Sequence, residues 1–466
     1  MKTIIRREFI EHVRSLQFAV LLVLTVVLFA GSALIFAPAN AARIESYQKQ
    51  AAMRTRDMST RITWLLRRPN SLLFVAEGGD AGRPMRYTLL PKGTFFATQP
   101  TPRTFKLPVV PPLDWSFIIG TLFSLYVILL GYNAISGEKE DGTLRLVLSN
   151  PFGRVRLLTA KFISIGSAAA AALLVGVLVG LILIGVLAPQ VLTAPTLARI
   201  GLVFVVALAY VSLFVFLSLL VSALIPRSSL ALLALLAVWV LFSVIVPSTS
   251  AVLMEKLSSA PREVQTARML EPTIQKEIWA RIEDIGKRAE RGEFKTEEEV
   301  RAAADKAFED GQVKLNQFYE DFDRAQRRRI GTARTLSRLS PTAMFRYAAE
   351  SLVQSGPGGE DDFLRQLREY SRVYDAYIVK KLGKVVQTSN FMLSSDITFQ
   401  GKKLTLHSPE PEEYRGDKSD FPRFAEAIPS AWNGLKGALG DLAGLIIWNI
   451  ILAGLAFSAF LRTDVR

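Results

Sequence analysis

The sequence predicts an α-helical integral membrane protein with six transmembrane helices and both termini cytoplasmic. It places a large, mostly helical extracytoplasmic insert between spans five and six, and a smaller mixed α/β outer segment between spans one and two. Three observations carry this reading. Half of the 466 residues are hydrophobic although 21% are charged, which fits neither a disordered chain nor a small secreted domain. Six apolar runs are long enough to cross a hydrocarbon core of about 30 Å at about 1.5 Å per residue. Lys and Arg, finally, gather in the short loops on one side.

In chain order, residues 1 to 15 place Ile5, Phe9 and Val13 at helical spacing, with Arg6, Arg7, Glu8, Glu11 and Arg14 on the other faces. This predicts an amphipathic helix lying in the inner interface. Span 1 covers 16 to 37. The A-x-A-like Ala39, Asn40 and Ala41 behind it suggest a cleavable signal, but the apolar stretch is longer than a signal core and Glu8 and Glu11 precede it, so it is read as a retained anchor. Residues 38 to 112 begin polar and helical. They then hold apolar runs, Leu72 to Ala76 and Tyr87 to Leu90, that predict short strands with turns. Span 2 covers 113 to 135, and residues 136 to 161 return to the cytoplasm. Spans 3, 4 and 5 cover 162 to 187, 197 to 225 and 229 to 250, and span 6 covers 439 to 461.

Orientation follows from Lys2, Arg6, Arg7 and Arg14, then Arg145, Arg154, Arg156 and Lys161, then Arg227, and finally Arg462 and Arg466, all in segments assigned inside. Arg199, at the outer end of span 4, is the exception and is expected to snorkel to the interface. The chain has 56 Lys and Arg against 42 Asp and Glu, a net charge of +14. On a membrane protein that excess belongs to cytoplasmic loops and anionic lipid, so no nucleic-acid partner is expected.

The insert, 251 to 438, reads mainly helical. Ile274, Ile278, Ile282 and Ile285 form one stripe over about 262 to 290. Thr296 and Glu299 form a capping box ahead of a second, through Val300, Ala304, Ala307, Gly311, Leu315, Phe318, Phe322 and Ala325, so an antiparallel hairpin is expected. Arg327, Arg328, Arg329, Arg334 and Arg338 read as a solvated face, with anionic headgroups or an acidic partner as the alternative. Ser355 to Gly359 should separate helices near 341 to 354 and 360 to 382, and 390 to 430 should be irregular.

Several chemistries are missing. No G-x-x-x-x-G-K-[ST] loop, H-E-x-x-H pair or G-x-S-x-G elbow occurs, so no catalytic residue or metal site is assigned and no enzyme activity is expected. With no cysteine, disulfides and thiolate sites are excluded. Ionisable residues are nearly absent from the spans, which argues against a proton relay. Gly176 and Gly180, and Gly440 and Gly444, have the spacing that lets helices pack closely, and Asn449 is suited to bonding across helices.

The loop after span 2 is the densest in signals. Thr143 is suited to cap a helix, and Leu144, Val147 and Leu148 recur at helical spacing until Pro151 and Gly153. This predicts a short cytoplasmic helix whose apolar face has nothing of its own to bury it against and docks in a groove on a soluble partner. The run Gly137 to Phe162 resembles the signature segment of ABC-2-type transporter permeases, an E-x-E-x-G-T-L-x-x-L-L-x-x-P-x-x-R pattern followed by a Lys. Glu138, Glu140, Gly142, Thr143, Leu144, Pro151, Arg154 and Lys161 hold its positions here. The resemblance implies that this segment, with Asp141 and Leu148, is the coupling helix that contacts an ATP-binding subunit, and that residues 1 to 15 are the elbow helix. It further implies an inner-membrane permease without cofactors of its own, paired with a second permease copy and two ATPase subunits that hold ATP and Mg. The large insert, with its Ser-Pro-Thr-Ala run at 340 to 343, resembles a subgroup with extended periplasmic regions and leaves a periplasmic partner open. The expected function is ATP-driven transport, of exporter type. The alternatives are a mechanical relay acting on a periplasmic partner without translocation, and an ATP-independent receptor or scaffold.

Overall fold

The structure is a computed structural model and describes residues 2–56, 63–80, 83, 85–89, 95–97, 113–149, 153–249, 260–382, 394–407 and 420–462. Among them, six helices are long and apolar enough to cross a membrane: Leu16–Ala52, Trp115–Glu140, Arg154–Leu187, Ala194–Leu224, Ser228–Thr249 and Ala431–Arg462. These match the six apolar runs. The first departs from its expected end at 37, because its helix continues through Pro38 to Arg56. Pro inside a membrane helix is tolerated where neighbours re-satisfy the freed carbonyl.

Small residues set how closely the spans approach. A Cβ at Gly176 would lie 2.8 Å from Phe29 and Thr25 of span 1, and one at Gly180 would lie 2.8 Å from Trp115 at the top of span 2. Gly444 lies as tightly against Met344, whereas a Cβ at Gly440 would meet nothing within 4 Å. Within this chain Gly440 makes no close approach: it sits about a quarter turn off the face of span 6 that carries Gly434, Gly437 and Gly444. Asn449 bonds across to span 4, donating to the Ala209 carbonyl at 2.9 Å and accepting from Ser212 Oγ at 2.6 Å.

The outer segments fold together. Strands β1 (Thr63–Leu66), β2 (Arg86–Leu89) and β3 (Phe95–Ala97) form an antiparallel sheet in that order, with Thr63 opposite Leu89 and Tyr87 opposite Ala97. Leu65, Tyr87 and Leu89 pack against Phe363, Leu367, Tyr374 and Ile378 of the helix Gly356–Leu382, so the sheet shares one core with the insert. Leu72 to Ala76 is a buried turn rather than a strand. Its Phe74 and Val75 carbonyls accept from the Trp115 and Ser116 amides at 2.8 Å, which caps the entry to span 2.

The expected hairpin is present as helices Ala260–Glu290 and Glu297–Ser337, joined at the capping box. Thr296 Oγ1 accepts from the Glu299 amide at 3.3 Å, while Glu299 reaches back to the Lys295 amide rather than to that of Thr296. The side chains of Ile274, Leu315 and Phe322 lie outside the described residues. Ile278, Ile282 and Ile285 meet Val300, Ala304 and Phe308, and a two-stranded hairpin, β4 (Ser394–Phe399) with β5 (Lys402–His407), covers them with Ile397, Phe399, Leu404 and Leu406. The expectation of irregular chain over 390 to 430 is thus corrected at 394–407. Alternating apolar residues and a Gln400-Gly401 turn, with φ of 48° and 76°, make a hairpin there.

Two further readings change. Arg199 does not snorkel: it is buried and donates to the Pro429 carbonyl, because the chain before span 6 folds back over the start of span 4. The arginine run is not simply a solvated face, since Arg327 pairs with Asp361 at 2.7 Å, Arg334 with Glu350, and Arg338 with Asp441 at 2.6 Å. The helix Pro341–Val353, here called the plug helix, buries Phe345, Ala348, Ala349 and Leu352 in the core of the span bundle.

Candidate coupling site on the cytoplasmic face

The segment after span 2 folds as two short helices, Ser136–Glu140 and Thr143–Ser149, hinged at Gly142. Gly142 has φ of +71°, a left-handed conformation in which a side chain is strained. Thr143 Oγ1 donates to the Glu138 carbonyl at 3.3 Å and closes the turn.

The charges of this segment turn inward, onto the ends of other helices. Lys161 of span 3 is buried, and its Nζ donates to Glu138 Oε1 at 2.7 Å and to Glu8 Oε1 at 3.2 Å. One cation thereby ties span 3, the segment and the N-terminal helix Lys2–Arg14 together. A buried charge needs such partners to offset its desolvation. Lys139 Nζ donates to the Ala223 carbonyl near the C-terminus of span 4, where a cation complements the helix dipole. Ser222 Oγ accepts from the Ile135 and Ser136 amides at 2.9 Å each. Glu140 Oε2 accepts from the Ser228 amide at 3.1 Å, an acid at the N-terminus of span 5. Arg154 Nη1 donates to the Leu461 carbonyl at 2.7 Å, at the end of span 6. Both ends of the described chain therefore share one end of the bundle.

The apolar face differs from the expectation that nothing of its own covers it. Leu144 is only 3% exposed and belongs to the bundle core, whereas Leu146 is 71% exposed, beside exposed Asp141, Gly142, Thr143 and Arg145. The side chain of Leu148 and all of Pro151 lie outside the described residues. On the N-terminal helix, Ile5 and Phe9 are half-buried and Val13 is exposed. Burial pushes the His12 imidazole below its ordinary pKa, Glu8 and Glu11 opposing and Lys161 reinforcing the shift. Sequence reasoning missed Leu146, Ser222 and Ser228. The two serines carry no pattern of their own, and Leu146 is separated from Leu144 and Leu148 only by which side of a short helix finds the core.

Comparison with known proteins places the chain in a family. A family model described as ABC-2 family transporter protein matches residues 2–465. The "Probable ABC transporter permease protein NosY" of Pseudomonas aeruginosa is 42% identical over 80 residues, 17% of this chain and 29% of that protein. Its counterpart from Stutzerimonas stutzeri is 47% identical over 55 residues, 12% of this chain and 20% of that protein. The alignments span under a third of each relative, so what they share with this chain is local. The family model covers nearly the whole sequence, and on that match, with its six membrane-spanning helices, the chain belongs to the ABC-2 transporter family as a multi-pass membrane protein.

Proposed function

We propose that this chain is the membrane half of an ATP-driven exporter in the inner membrane. Two ATPase subunits hold ATP and Mg and close against the 136–149 segment of each of two permease copies, either identical or paralogous. One observation carries the reading: this segment is bonded at once to spans 3, 4 and 5 through Lys161, Ser222, Ala223 and Ser228, and through Lys161 to the N-terminal helix. A push on its exposed Leu146 edge reaches all of these elements together. Work done by a partner moves this subunit only through a contact whose energy differs between states, and this is where such a contact has leverage. The chain itself performs no hydrolysis in this reading. Leu146→Asp should abolish stimulation of ATP hydrolysis by the permease while leaving insertion intact; full stimulation in that variant would sink the assignment.

A second reading, the mechanical relay, is favoured by how deeply the outer mass is rooted. The plug helix stands in the bundle core, and Arg338, one residue beyond the helix Glu297–Ser337, pairs with Asp441 of span 6. Reconstituted complexes that hydrolyse ATP and move the outer helices without moving solute would select it.

A further inference from the structure

Spans 2 and 5 each contain a π-helical turn, Ile118–Phe123 and Leu241–Ile245. Such turns carry one extra residue and are uncommon, so each needs something to hold it. In both, a carbonyl inside the turn accepts from a hydroxyl on another element. Gly120 O accepts from Tyr210 Oη of span 4 at 2.6 Å as well as from Ser124 Oγ at 3.0 Å, and Phe242 O accepts from Ser340 Oγ. Ser340 is the N-cap of the plug helix, its Oγ also accepting from the Ala343 amide at 3.3 Å. Thr342 Oγ1, on the same turn, is 2.9 Å from Tyr210 Oη and 3.2 Å from Ser243 Oγ. The Ser-Pro-Thr-Ala run therefore touches span 5 directly and span 2 through Tyr210. Trp239 Nε1 donates to Ser124 Oγ at 2.9 Å and closes the ring of contacts.

Tyr210, Ser340, Thr342 and Ser124 are buried, whereas the span 5 turn is partly exposed, and the cluster lies far from the coupling face. Tyr210 is about 21 Å above the inner end of span 4 at about 1.5 Å per residue. Yet spans 2 and 5 are the two that Glu140 and Ser228 bond together at their inner ends. At the outer end the plug is fixed to the hairpin arm and to span 6 by Arg334 with Glu350 and by Arg338 with Asp441, the latter carboxylate 1% exposed. Ser340 and Thr342 therefore stand between the arm and both π turns.

We infer that the two π turns are a register switch, the one in span 5 held by the hydroxyl of Ser340 and the one in span 2 by that of Tyr210, which Thr342 of the plug helix in turn contacts. Ser340, Thr342 and Tyr210 act as positioning residues whose withdrawal lets the turns relax to α-helix and passes the stroke between the coupling face and the outer domain. Relaxation removes one residue from a turn, a step of about 1.5 Å along the axis and about 100° around it. It supplies the two-state element that coupling between distant sites requires. The inference rests on the coupling reading proposed above.

The chain has no cysteine, so paired cysteines report cleanly. A Cβ at Gly120 would lie 3.7 Å from Arg346 Cγ of the plug helix. In the purified complex with its ATPase subunit, disulfide formation between Gly120→Cys and Arg346→Cys should be roughly tenfold slower with Mg and a non-hydrolysable ATP analogue than without, within the usual range of coupling energies. Tyr210→Phe with Ser340→Ala should reduce that difference to below about twofold while hydrolysis continues. Ser340→Thr, which keeps a hydroxyl, should retain it. Equal rates with and without the analogue, or a difference that survives Tyr210→Phe with Ser340→Ala, overturns the switch. A cysteine at Leu146 that cross-links to the ATPase subunit in the same preparation separates the failures: a cross-link with equal disulfide rates sinks the switch alone, and no cross-link sinks the coupling reading and the switch with it.

Discussion

Replacing Lys161 by Met tests the inner knot most sharply, because it removes one cation from between two carboxylates and leaves its apolar stem in place. The side chain of Lys161 is 3% exposed, and those of Glu8 and Glu138 are 19% and 23% exposed. Removing one member of a fully buried pair costs about 3–5 kcal/mol. Water reaches both carboxylates here, so the penalty should fall to about 2 kcal/mol, which is roughly thirtyfold in an opening equilibrium. The local event is release of the N-terminal helix, whose Glu8 loses its anchor. In inside-out vesicles, trypsin cleavage after Arg14 should accelerate by about that factor, since cleavage follows the open population when reclosing is fast. Adding Glu8→Gln and Glu138→Gln should bring the rate most of the way back, because a neutral set of similar shape carries no stranded charge. A rate within about twofold of the parent would refute the claim that Lys161 holds this helix.

The remaining predictions are narrower. Glu140→Lys puts a cation at the N-terminus of span 5 and removes the acceptor of the Ser228 amide; it should leave insertion intact but uncouple ATP hydrolysis, measured as lost permease stimulation. Burial lowers the His12 pKa from 6.5, so the released helix takes up a proton first. Docking is then fully supported above that value and weakens as pH falls below it; His12→Gln should flatten the pH dependence of cleavage after Arg14. Gly176→Leu should destabilise the bundle by about 1–3 kcal/mol because its Cβ meets Phe29 and Thr25, while Gly440→Leu should be neutral in the same thermal melt. Asp441→Asn should loosen the hairpin arm, seen as broader spin-label distances from its helices to span 6, and exchanging Arg338 and Asp441 for one another should recover part of the order.

What the sequence made legible is what bilayer physics dictates locally. Span number and orientation follow from run length and Lys/Arg placement, and the hairpin from a stripe of isoleucines that must be covered. The coupling segment was legible as a position but not as a surface. Whether Leu144 or Leu146 faces out depends on which side of a two-turn helix meets the bundle, a tertiary fact. The inward turn of Glu138, Lys139 and Glu140 is equally non-local, since their partners Lys161, Ala223 and Ser228 are fixed only by how the inner helix ends converge. The plug helix was legible as a helix, because Ser340 and Pro341 start it, but its burial was not: nothing in the run announces that Tyr210 and Gly120 will meet it. The hairpin at 394–407 was legible in principle, from alternation of Ile397 with Phe399 and Leu404 with Leu406, and was hidden by the charged and Pro-rich chain that follows it.

A permease driven by a separate ATPase through its inner face should carry that ATPase with it out of the membrane. The most direct test is purification of the chain from its native membrane in mild detergent, followed by mass spectrometry and an ATP hydrolysis assay on the eluate. The eluate should hold an ABC ATPase in stoichiometric amount and show hydrolysis that Leu146→Asp reduces to the basal rate. Recovery of the chain alone, or with outer partners and no hydrolysis, would contradict it.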